Sequence, residues 1–442
     1  MALPWRHCWR WASGSTSTSL LETICCFNGS SSTSLLRGTG TATGSGNEGL
    51  SSRTVHTTSL GNSILTRQES RLLYSTPKPC YCKRIHSDAK LKDPFTLAQK
   101  DLNHLYDDIK KELFVSKSEL KSICDYYFDG KGKAFRPMIV VLMARACNSH
   151  SSRDGFTRRR EGKLARSGWS HEATNGLQGD RPGDLLPGQR SIAMISEMIH
   201  TASLVHDDVI DCSDKRRGKT TVNEVWGERK AILAGDFILS AASVALARIG
   251  NNTVMSVLSQ VTEDLVRGEF MQLGSKENEK ERFKHYLDKT FKKTASLIAN
   301  SCKAVSILVN SDPEVHEIAF QYGRNVGIAF QLVDDVLDFT ACASQLGKPS
   351  ATDLKLGLAT GPVLFACQQF PELHGMIMRR FSSSGDVARA WQYVQESEGV
   401  DQTNYLAQHY CQEAIRQISL LRPSLERDAL IRLTQMVLTR DK

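Results

Sequence analysis

Long apolar runs, strand patterns and paired cysteines are what this sequence lacks. No run of about eighteen apolar residues occurs, so the sequence predicts no membrane span. Its 12 cysteines show no metal-binding spacing, as is typical of reduced thiols in a cytosolic or matrix enzyme. Cys80 and Cys82 form a single close pair, and without a second pair they do not indicate a metal site.

Acidic residues are nearly missing from the N-terminal part of the chain. No Asp precedes Asp88, and residues 1–87 carry nine Lys or Arg against three Glu, a net charge of +6. The background is rich in Ser, Thr and Gly and has no compact apolar segment of the secretory type. This composition predicts a mitochondrial transit peptide over residues 1–87 and therefore a matrix location. The alternative is a disordered cytosolic tail.

The positive charge of the chain is not spread over the probable folded body. The total is +8, of which +6 lies in residues 1–87 and +3 in residues 151–190, where eight Lys or Arg face five Asp or Glu. The rest of the chain is therefore close to neutral. A broad basic surface for nucleic acid is not expected.

From about Asp93 onward the sequence is dominated by helical periodicity. Apolar residues recur at spacings of three and four, strand patterns are scarce, and Pro is sparse until Pro349. An all-α domain over residues 93–442 is predicted. The exception is residues 151–188, which are rich in Gly, Arg and Pro without periodicity and predict a flexible loop insertion.

Two aspartate clusters interrupt apolar helical stretches. The first, LVHDDVID, contains Asp207, Asp208 and Asp211, and the second, QLVDDVLD, contains Asp334, Asp335 and Asp338. Carboxylates at i and i+4 lie on one helix face and repel each other, so two such clusters indicate a function that offsets this cost. Oxygen ligands with room for water are what Mg²⁺ prefers, usually together with substrate phosphates. The clusters predict a magnesium site around a diphosphate.

Five ordered motifs carry a family resemblance. They are GKAFRP (132–137), DDVID followed by RRG, KT (293–294), FQLVDDVLD (330–338) and GKPSATDLKLGLAT (347–360). In this order they resemble the motifs of the trans-polyprenyl diphosphate synthases. The sequence that flanks them is similar to the catalytic subunit of the mitochondrial decaprenyl or solanesyl enzymes of animals. The resemblance implies an all-α isoprenoid synthase bundle with a central cavity. It also implies synthesis of the ubiquinone side chain.

The resemblance assigns roles to the motif residues. Mg²⁺ would be held by Asp207, Asp211, Asp334, Asp335 and Asp338, with Asp208 in support. The allylic prenyl diphosphate would be bound by Arg216, Lys293 and Lys348, with Thr294 and Gln331 nearby. The second substrate, isopentenyl diphosphate, would be bound by Lys133, Arg136, His200 and Arg217.

Further expectations follow from the same resemblance. Ala202 and Ser203 lie five and four residues before Asp207, and their small side chains would leave room for a long product. The subunit similarity implies a hetero-oligomer with a second, related synthase chain. The long apolar product favours peripheral contact with a membrane at release.

The sequence departs from the family pattern in two places and leaves two other functions open. Ala134 stands where the first substrate motif usually carries a second Gly, and residues 151–188 replace a short connection. A class I terpene cyclase shares the metal motifs but does not need the isopentenyl diphosphate pocket. A non-catalytic regulatory subunit of the same fold usually has degraded aspartate motifs, whereas both motifs are intact here.

Overall fold

Helices make up nearly all of the described chain. The computed structural model describes residues 93–113, 119–129, 134–162, 184–216, 218–274, 278–309, 312–340 and 351–440. The helices are α1 Pro94–Leu102, α2 Leu105–Glu112, α3 Glu119–Tyr127, α4 Phe135–Gly162, α5 Pro187–Ile210, α6 Val222–Trp226, α7 Glu228–Arg248, α8 Asn252–Leu273, α9 Glu279–Thr290, α10 Ser296–Leu308, α11 Pro313–Thr340, α12 Thr352–Lys355, α13 Gly361–Gln369, α14 Glu372–Met378, α15 Asp386–Glu396, α16 Gly399–Ile418 and α17 Leu425–Leu438. A two-residue antiparallel pair, β1 Lys215–Arg216 with β2 Lys219–Thr220, follows α5. A π-helical turn, Phe291–Ala295, joins α9 to α10. The predicted all-α fold is confirmed.

Helix α11 lies at the centre of the helical packing, against α10 and α16. Its apolar residues recur at helical spacing, and Tyr322, Val326, Ala329 and Leu332 are all fully buried. The Tyr322 hydroxyl donates a hydrogen bond to the Leu430 carbonyl at 3.0 Å, so the buried phenol is satisfied. The second aspartate motif therefore sits on a helix that is packed into the core of the domain.

Two glycines on α11 bring its neighbour unusually close. A Cβ at Gly323 would lie 2.7 Å from the Ala299 Cα, and one at Gly327 would lie 2.5 Å from the Ala295 Cα. Any side chain at these positions would push α10 and the π-helical turn away from α11. The close approach holds the π-helical turn beside the helix that carries the second aspartate motif.

The predicted loop over residues 151–188 is shorter in the structure. Helix α4 continues to Gly162, and α5 already begins at Pro187, so both ends of this stretch are helical. A helix that is already nucleated extends at low cost, and Arg and Glu are good helix formers. Pro187 at the first turn of α5 suits the fixed φ of proline. Residues 163–183, in the middle of the stretch, lie outside the described residues.

Helix α7 is the one described helix that is long and apolar enough to cross a membrane by length and composition alone. It packs along α5, and at Gly235 a Cβ would lie 2.2 Å from the His206 Nε2 atom. Core helices of soluble proteins pass the same test. The helix also exposes Ile232, Leu233 and Val244, of which Leu233 is 65% exposed.

Candidate active site

The first aspartate motif lies where α5 ends. Asp207 and Asp208 occupy the last turn, and Asp211 is the C-cap, with its amide donating to the Asp207 carbonyl at 2.8 Å. The next residue, Cys212, has a left-handed φ of 49°, which stops the helix. Because Asp211 follows Asp207 by one turn, both carboxylates lie on the same side of the helix end.

Asp208 has a structural role in this motif. It is 1% exposed, and its Oδ1 atom accepts from Arg216 Nε at 2.8 Å. Its Oδ2 atom accepts from the Tyr127 hydroxyl at 3.2 Å. With both oxygens engaged, Asp208 anchors Arg216 beside the motif, while Asp207 and Asp211 are left to act on a ligand.

Asp207 and Asp211 are poorly solvated carboxylates. Burial raises the pKa of Asp207 to about 6, the Lys293 ammonium lowers it, and the Glu269 and Asp211 carboxylates raise it. Burial is also the largest cause of the raised pKa of Asp211. A site that disfavours its own carboxylate charges gains when a cation binds there.

The raised pKa of Asp207 predicts a pH-dependent stability difference. Near pH 4 the carboxyl is protonated in the fold and about half protonated in the unfolded chain, where its pKa is 3.8, so the two states differ little in charge. Above pH 6 the fold must hold a carboxylate that is more stable in the unfolded chain. We therefore expect Asp207→Asn to stabilise the metal-free protein at pH 8, by roughly 1–3 kcal/mol, and to have little effect near pH 4. Thermal unfolding in EDTA at pH 8 and near pH 4 measures the stability difference between the variant and the unchanged protein. The exposed Asp214, changed to Asn, is the control, and an equal effect of Asp207→Asn at both pH values would contradict the prediction.

The π-helical turn presents two predicted site residues together. Lys293 Nζ forms an ion pair with Glu269 Oε2 at 2.5 Å and donates to Gln272 Oε1 at 2.9 Å. The Thr294 hydroxyl donates to Gln331 Oε1 at 2.8 Å. Gln331 lies one helical turn before Asp335 of the second motif. π-Helical turns often occur at functional sites because the extra residue redirects side chains. Here consecutive residues reach toward different aspartate motifs.

Gly268 makes room for Lys293 on α8. A Cβ at this position would lie 2.7 Å from Lys293 Cγ and 3.2 Å from the Lys293 amide nitrogen. The adjacent Glu269 thus meets the ammonium directly, and Glu269 also acts electrostatically on Asp207. Neither Glu269 nor Gln272 was predicted as a site residue, although both lie in the stretch GEFMQL, residues 268–273.

In the second motif Asp335 is fully engaged by the protein. It is 1% exposed and accepts from Gln331 Nε2 at 2.9 Å and from the Tyr286 hydroxyl, with the Gly361 amide at 3.5 Å. Burial raises its pKa to about 6, and these hydrogen bonds oppose the shift. Metal binding by Asp335 stays a prediction, and it would require a metal to share oxygens that already accept hydrogen bonds.

Asp338 and Asp334 differ in their surroundings. The two Asp338 oxygens accept from the amides of Thr352 and Asp353, both at 3.1 Å, and so fix the start of α12. Asp334 is 42% exposed and is paired with Arg440 Nη2 at 2.7 Å. Asp334 therefore stays partly accessible to a ligand.

Arg440 was not predicted as a site residue. Its guanidinium stacks on the Phe330 ring, 3.6 Å from the centroid, and also donates to the Phe330 carbonyl at 2.6 Å. The contact with Asp334 joins residues 106 positions apart in the chain. No local sequence pattern signals such a pair.

Two of the four residues predicted to bind isopentenyl diphosphate lie in the part of the chain that the structure describes. Arg136 Nη1 lies 2.8 Å from His200 Nε2, which brings together two of the four predicted side chains. Since a guanidinium only donates, the His200 nitrogen accepts, and that ring is neutral in this contact. Lys133, Arg217 and Lys348 lie outside the described residues.

The two predicted chain-length residues sit on α5 above the first motif. Ala202 is fully buried, and Ser203 is half-buried with its hydroxyl donating to the His200 carbonyl at 2.9 Å. Both side chains are small and neither carries an unsatisfied polar group. Their effect on product length stays a prediction.

The carboxylates alone do not supply a complete set of ligands for a cation. In the part of the chain that the structure describes, no group of three His, Cys, Asp or Glu side chains could hold a metal ion. The donor set nevertheless suits a hard cation, since poorly solvated carboxylates at Asp207 and Asp211 face the same region as Lys293. The missing oxygens would come from substrate phosphates, as is usual for Mg²⁺.

Comparison with known proteins decides the family. The polyprenyl synthetase family model matches residues 117–394. The chain belongs to the polyprenyl synthetase family. It is 65% identical over 373 residues to the human all trans-polyprenyl-diphosphate synthase PDSS1, covering 84% of this chain and 82% of the human one. It is 42% identical to decaprenyl-diphosphate synthase subunit 1 of Schizosaccharomyces pombe, covering 78% of this chain and 91% of the yeast one.

Solved structures agree with this membership. The polyprenyl synthase of Caulobacter crescentus, complexed with calcium and isoprenyl diphosphate, matches with a TM-score of 0.64 and 26% identity, over 79% of this chain and 97% of the bacterial one. The heptaprenyl diphosphate synthase of Staphylococcus aureus matches with a TM-score of 0.65 and 28% identity, over 78% and 98% of the two chains. The resemblance inferred from the motifs is confirmed, and the polyprenyl synthetase member described here is a trans-prenyltransferase.

Proposed function

We propose that this polyprenyl synthetase is the catalytic subunit of a mitochondrial long-chain all-trans polyprenyl diphosphate synthase that supplies the ubiquinone side chain. One observation carries the proposal. The π-helical turn links the two aspartate motifs, because Lys293 acts on Asp207 while Thr294 contacts Gln331, the partner of Asp335. A diphosphate between the motifs would meet carboxylates from both motifs, together with a lysine and a hydroxyl from the π-helical turn.

The reaction follows from this arrangement. The C–O bond of the allylic diphosphate breaks, the double bond of isopentenyl diphosphate attacks the allylic carbon, a C–C bond forms, and a proton leaves to the departing diphosphate. Mg²⁺, when bound, would neutralise the charge that develops on the leaving diphosphate, and Asp207, Asp211 and Asp334 would hold it. Lys293 adds a preorganised positive charge on the same side. No protein nucleophile is required.

The second substrate would be held without a metal of its own. Arg136, fixed against His200, supports a cationic pocket for isopentenyl diphosphate. Lys133 and Arg217 are proposed to complete it. A terpene cyclase would not need this pocket, and the family membership does not favour that alternative.

A mitochondrial matrix location is supported by two lines of reasoning. The leader composition of residues 1–87 suits a transit peptide. A relative in Yarrowia lipolytica, 40% identical, carries the name of a probable mitochondrial hexaprenyl pyrophosphate synthase.

We also propose that a second, related synthase subunit covers the apolar face of α7. The name of the Schizosaccharomyces pombe relative includes "subunit 1", and α7 leaves Leu233 65% exposed and Val244 47% exposed on one face. Exposed apolar side chains on one helix face mark an interaction surface. Expressed alone, without the leader, the chain should give little product from farnesyl diphosphate and radiolabelled isopentenyl diphosphate. Co-expression with the related subunit should restore synthesis.

The α7 face provides a matched test of that assembly. We expect Leu233→Asp to abolish co-purification with the second subunit, because a carboxylate would be buried in the contact. Leu425→Asp, at a 50% exposed position on α17, is the control. Full activity from the purified chain on its own would refute the partner proposal.

Product length is expected to depend on Ala202. A tail anchored at Asp207 must pass this residue, so the ring of Ala202→Phe should stop growth after a few isoprene units while early condensations continue. Ala202 is fully buried, and the substitution should also cost about 1–3 kcal/mol of stability. Chromatography of dephosphorylated products measures the length, with Ala202→Ser as the control. An unchanged long product from an active Ala202→Phe enzyme would place the tail elsewhere.

A further inference from the structure

Two adjacent tyrosines, Tyr126 and Tyr127, end helix α3 shortly before the motif GKAFRP. Both side chains are half-buried. They pack onto a small hydrophobic cluster that contains Ile123, Val205 and Val222 and is separate from the main core. Their rings meet edge to face, with centroids 6.1 Å apart. This packing fixes the direction in which each hydroxyl points.

The Tyr127 hydroxyl completes the surroundings of the buried Asp208 carboxylate. It donates to Asp208 Oδ2 at 3.2 Å, while Arg216 Nε donates to Oδ1 at 2.8 Å. Burial and the Asp208 carboxylate raise the pKa of the Tyr127 hydroxyl, which therefore stays protonated and able to donate. Each oxygen of a carboxylate on α5 thus has its own donor, one from α3 and one from β1.

This division of donors leaves part of the Arg216 guanidinium for a ligand. The contact with Asp208 is made by Nε, and the Arg216 side chain is 33% exposed. The outer edge of the guanidinium, with its terminal Nη groups, can therefore still donate to a diphosphate.

Without the Tyr127 hydroxyl the balance at Asp208 would change. Asp208 is 1% exposed, and a buried carboxylate oxygen without a donor is costly. A guanidinium can donate to both oxygens of one carboxylate at the same time. Arg216 would therefore turn an Nη group toward Asp208 Oδ2 and away from a diphosphate.

The neighbouring Tyr126 holds the strand from which Arg216 extends. Its hydroxyl donates to the Thr220 carbonyl at 2.7 Å, and the Lys219 ammonium lies 4.8 Å from its ring centroid. Lys219 is the partner of Arg216 in the two-residue antiparallel pair. Tyr126 therefore fixes the backbone beside Arg216, and Tyr127 acts on the direction of its side chain.

We propose that Tyr127 is a positioning residue for the allylic diphosphate site, because its hydroxyl occupies Asp208 Oδ2 and so keeps the terminal nitrogens of Arg216 directed at the ligand. The identity of the ligand rests on the proposed function. The arrangement of Tyr127, Asp208 and Arg216 does not depend on it.

The first test measures Arg216 itself, without any ligand. Phenylglyoxal modifies accessible guanidinium groups, and peptide mass spectrometry of the labelled full chain gives a rate for each arginine. Tyr127→Phe keeps the ring in its cluster, which circular dichroism checks. It should slow the labelling of Arg216 several-fold, since both oxygens of Asp208 would then hold the guanidinium. The exposed Arg229 should be labelled at the same rate in both proteins.

The second test measures the allylic site. Equilibrium dialysis with tritiated farnesyl thiodiphosphate, in Mg²⁺ and without isopentenyl diphosphate, gives binding without turnover. Tyr127→Phe should weaken binding about tenfold, the equivalent of about 1.4 kcal/mol. In the Arg216→Gln background the same substitution should add little, because residues that act through one contact are not additive.

Tyr106→Phe is the matched control. The Tyr106 hydroxyl also donates to a carboxylate on α5, Glu197 Oε1 at 3.1 Å, about three turns before Asp208. This variant should change neither the labelling of Arg216 nor the binding of farnesyl thiodiphosphate.

The outcomes separate this inference from the proposed function. Unchanged labelling of Arg216 in Tyr127→Phe would overturn the inference, as would equal losses of binding with and without the Arg216 side chain, which would indicate a general structural role. Slower labelling of Arg216 in a chain that does not bind farnesyl thiodiphosphate would support the positioning by Tyr127 and refute the proposed allylic substrate.

Discussion

Asp207→Ala is expected to lose at least about 10²-fold in turnover while the protein stays folded. Removing one preorganised charge-stabilising group typically costs about 10²–10³ in rate, and Asp207 would hold a metal that stabilises the leaving diphosphate. The fold should survive because burial raises the pKa of this carboxyl and makes its charge unfavourable in the metal-free protein. Steady-state rates with saturating Mg²⁺ and circular dichroism measure the two properties.

Asp214→Ala is the matched control for that loss. Asp214 is an exposed carboxylate three residues beyond Asp211 and lies outside the motif. The Asp214→Ala variant should keep normal turnover. Binding of Mn²⁺ in the presence of an allylic thiodiphosphate gives a second readout, and Asp207→Ala should bind Mn²⁺ more weakly than Asp214→Ala. A folded Asp207→Ala enzyme with near-normal turnover would remove the metal hypothesis.

Much of the fold and part of the site follow from local sequence patterns. The helical periodicity predicts an all-α domain, and the i, i+4 spacing places Asp207 and Asp211 one turn apart at the end of α5. The pairing of Thr294 with Gln331 also agrees with the two motifs that carry them. These features depend on residues close together in the chain or on motifs that are distinctive by themselves.

Other features depend on contacts that no local pattern encodes. Arg440 reaches Asp334 across 106 positions, and Tyr286 reaches Asp335 across 49. A lone arginine near the C-terminus and a lone tyrosine on α9 carry no signal of these partners. The different duties of the adjacent Asp334 and Asp335 likewise arise from tertiary packing, which buries one and leaves the other 42% exposed. Residues 151–162 were predicted as loop because their composition lacks periodicity, yet a preceding helix extends through them.

The π-helical turn gives neighbouring lysines opposite tasks. Lys293 faces Glu269 and acts on Asp207, whereas Lys292 Nζ pairs with the 5% exposed Asp264 at 3.3 Å. An ordinary α-helical register would turn these side chains by a different angle, and the extra residue of the π turn sets their present directions. One lysine therefore belongs to the candidate active site, and the other to the support beneath it.

This division predicts contrasting effects from identical substitutions. Lys293→Gln should lower kcat by about 10²–10³ with little change in stability, because it removes a charge that acts on the leaving diphosphate. Lys292→Gln should keep kcat per folded molecule within a few-fold. It should instead lower the free energy of unfolding by roughly 1–3 kcal/mol, since among the described residues the buried Asp264 carboxylate would keep only the hydrogen bond from Ser296. Urea unfolding of each purified variant and initial rates, measured with the proposed second subunit co-expressed, separate the two outcomes. Equal losses of kcat in both variants would mean that the turn acts only as a structural support, and that Lys293 has no direct role at the diphosphate.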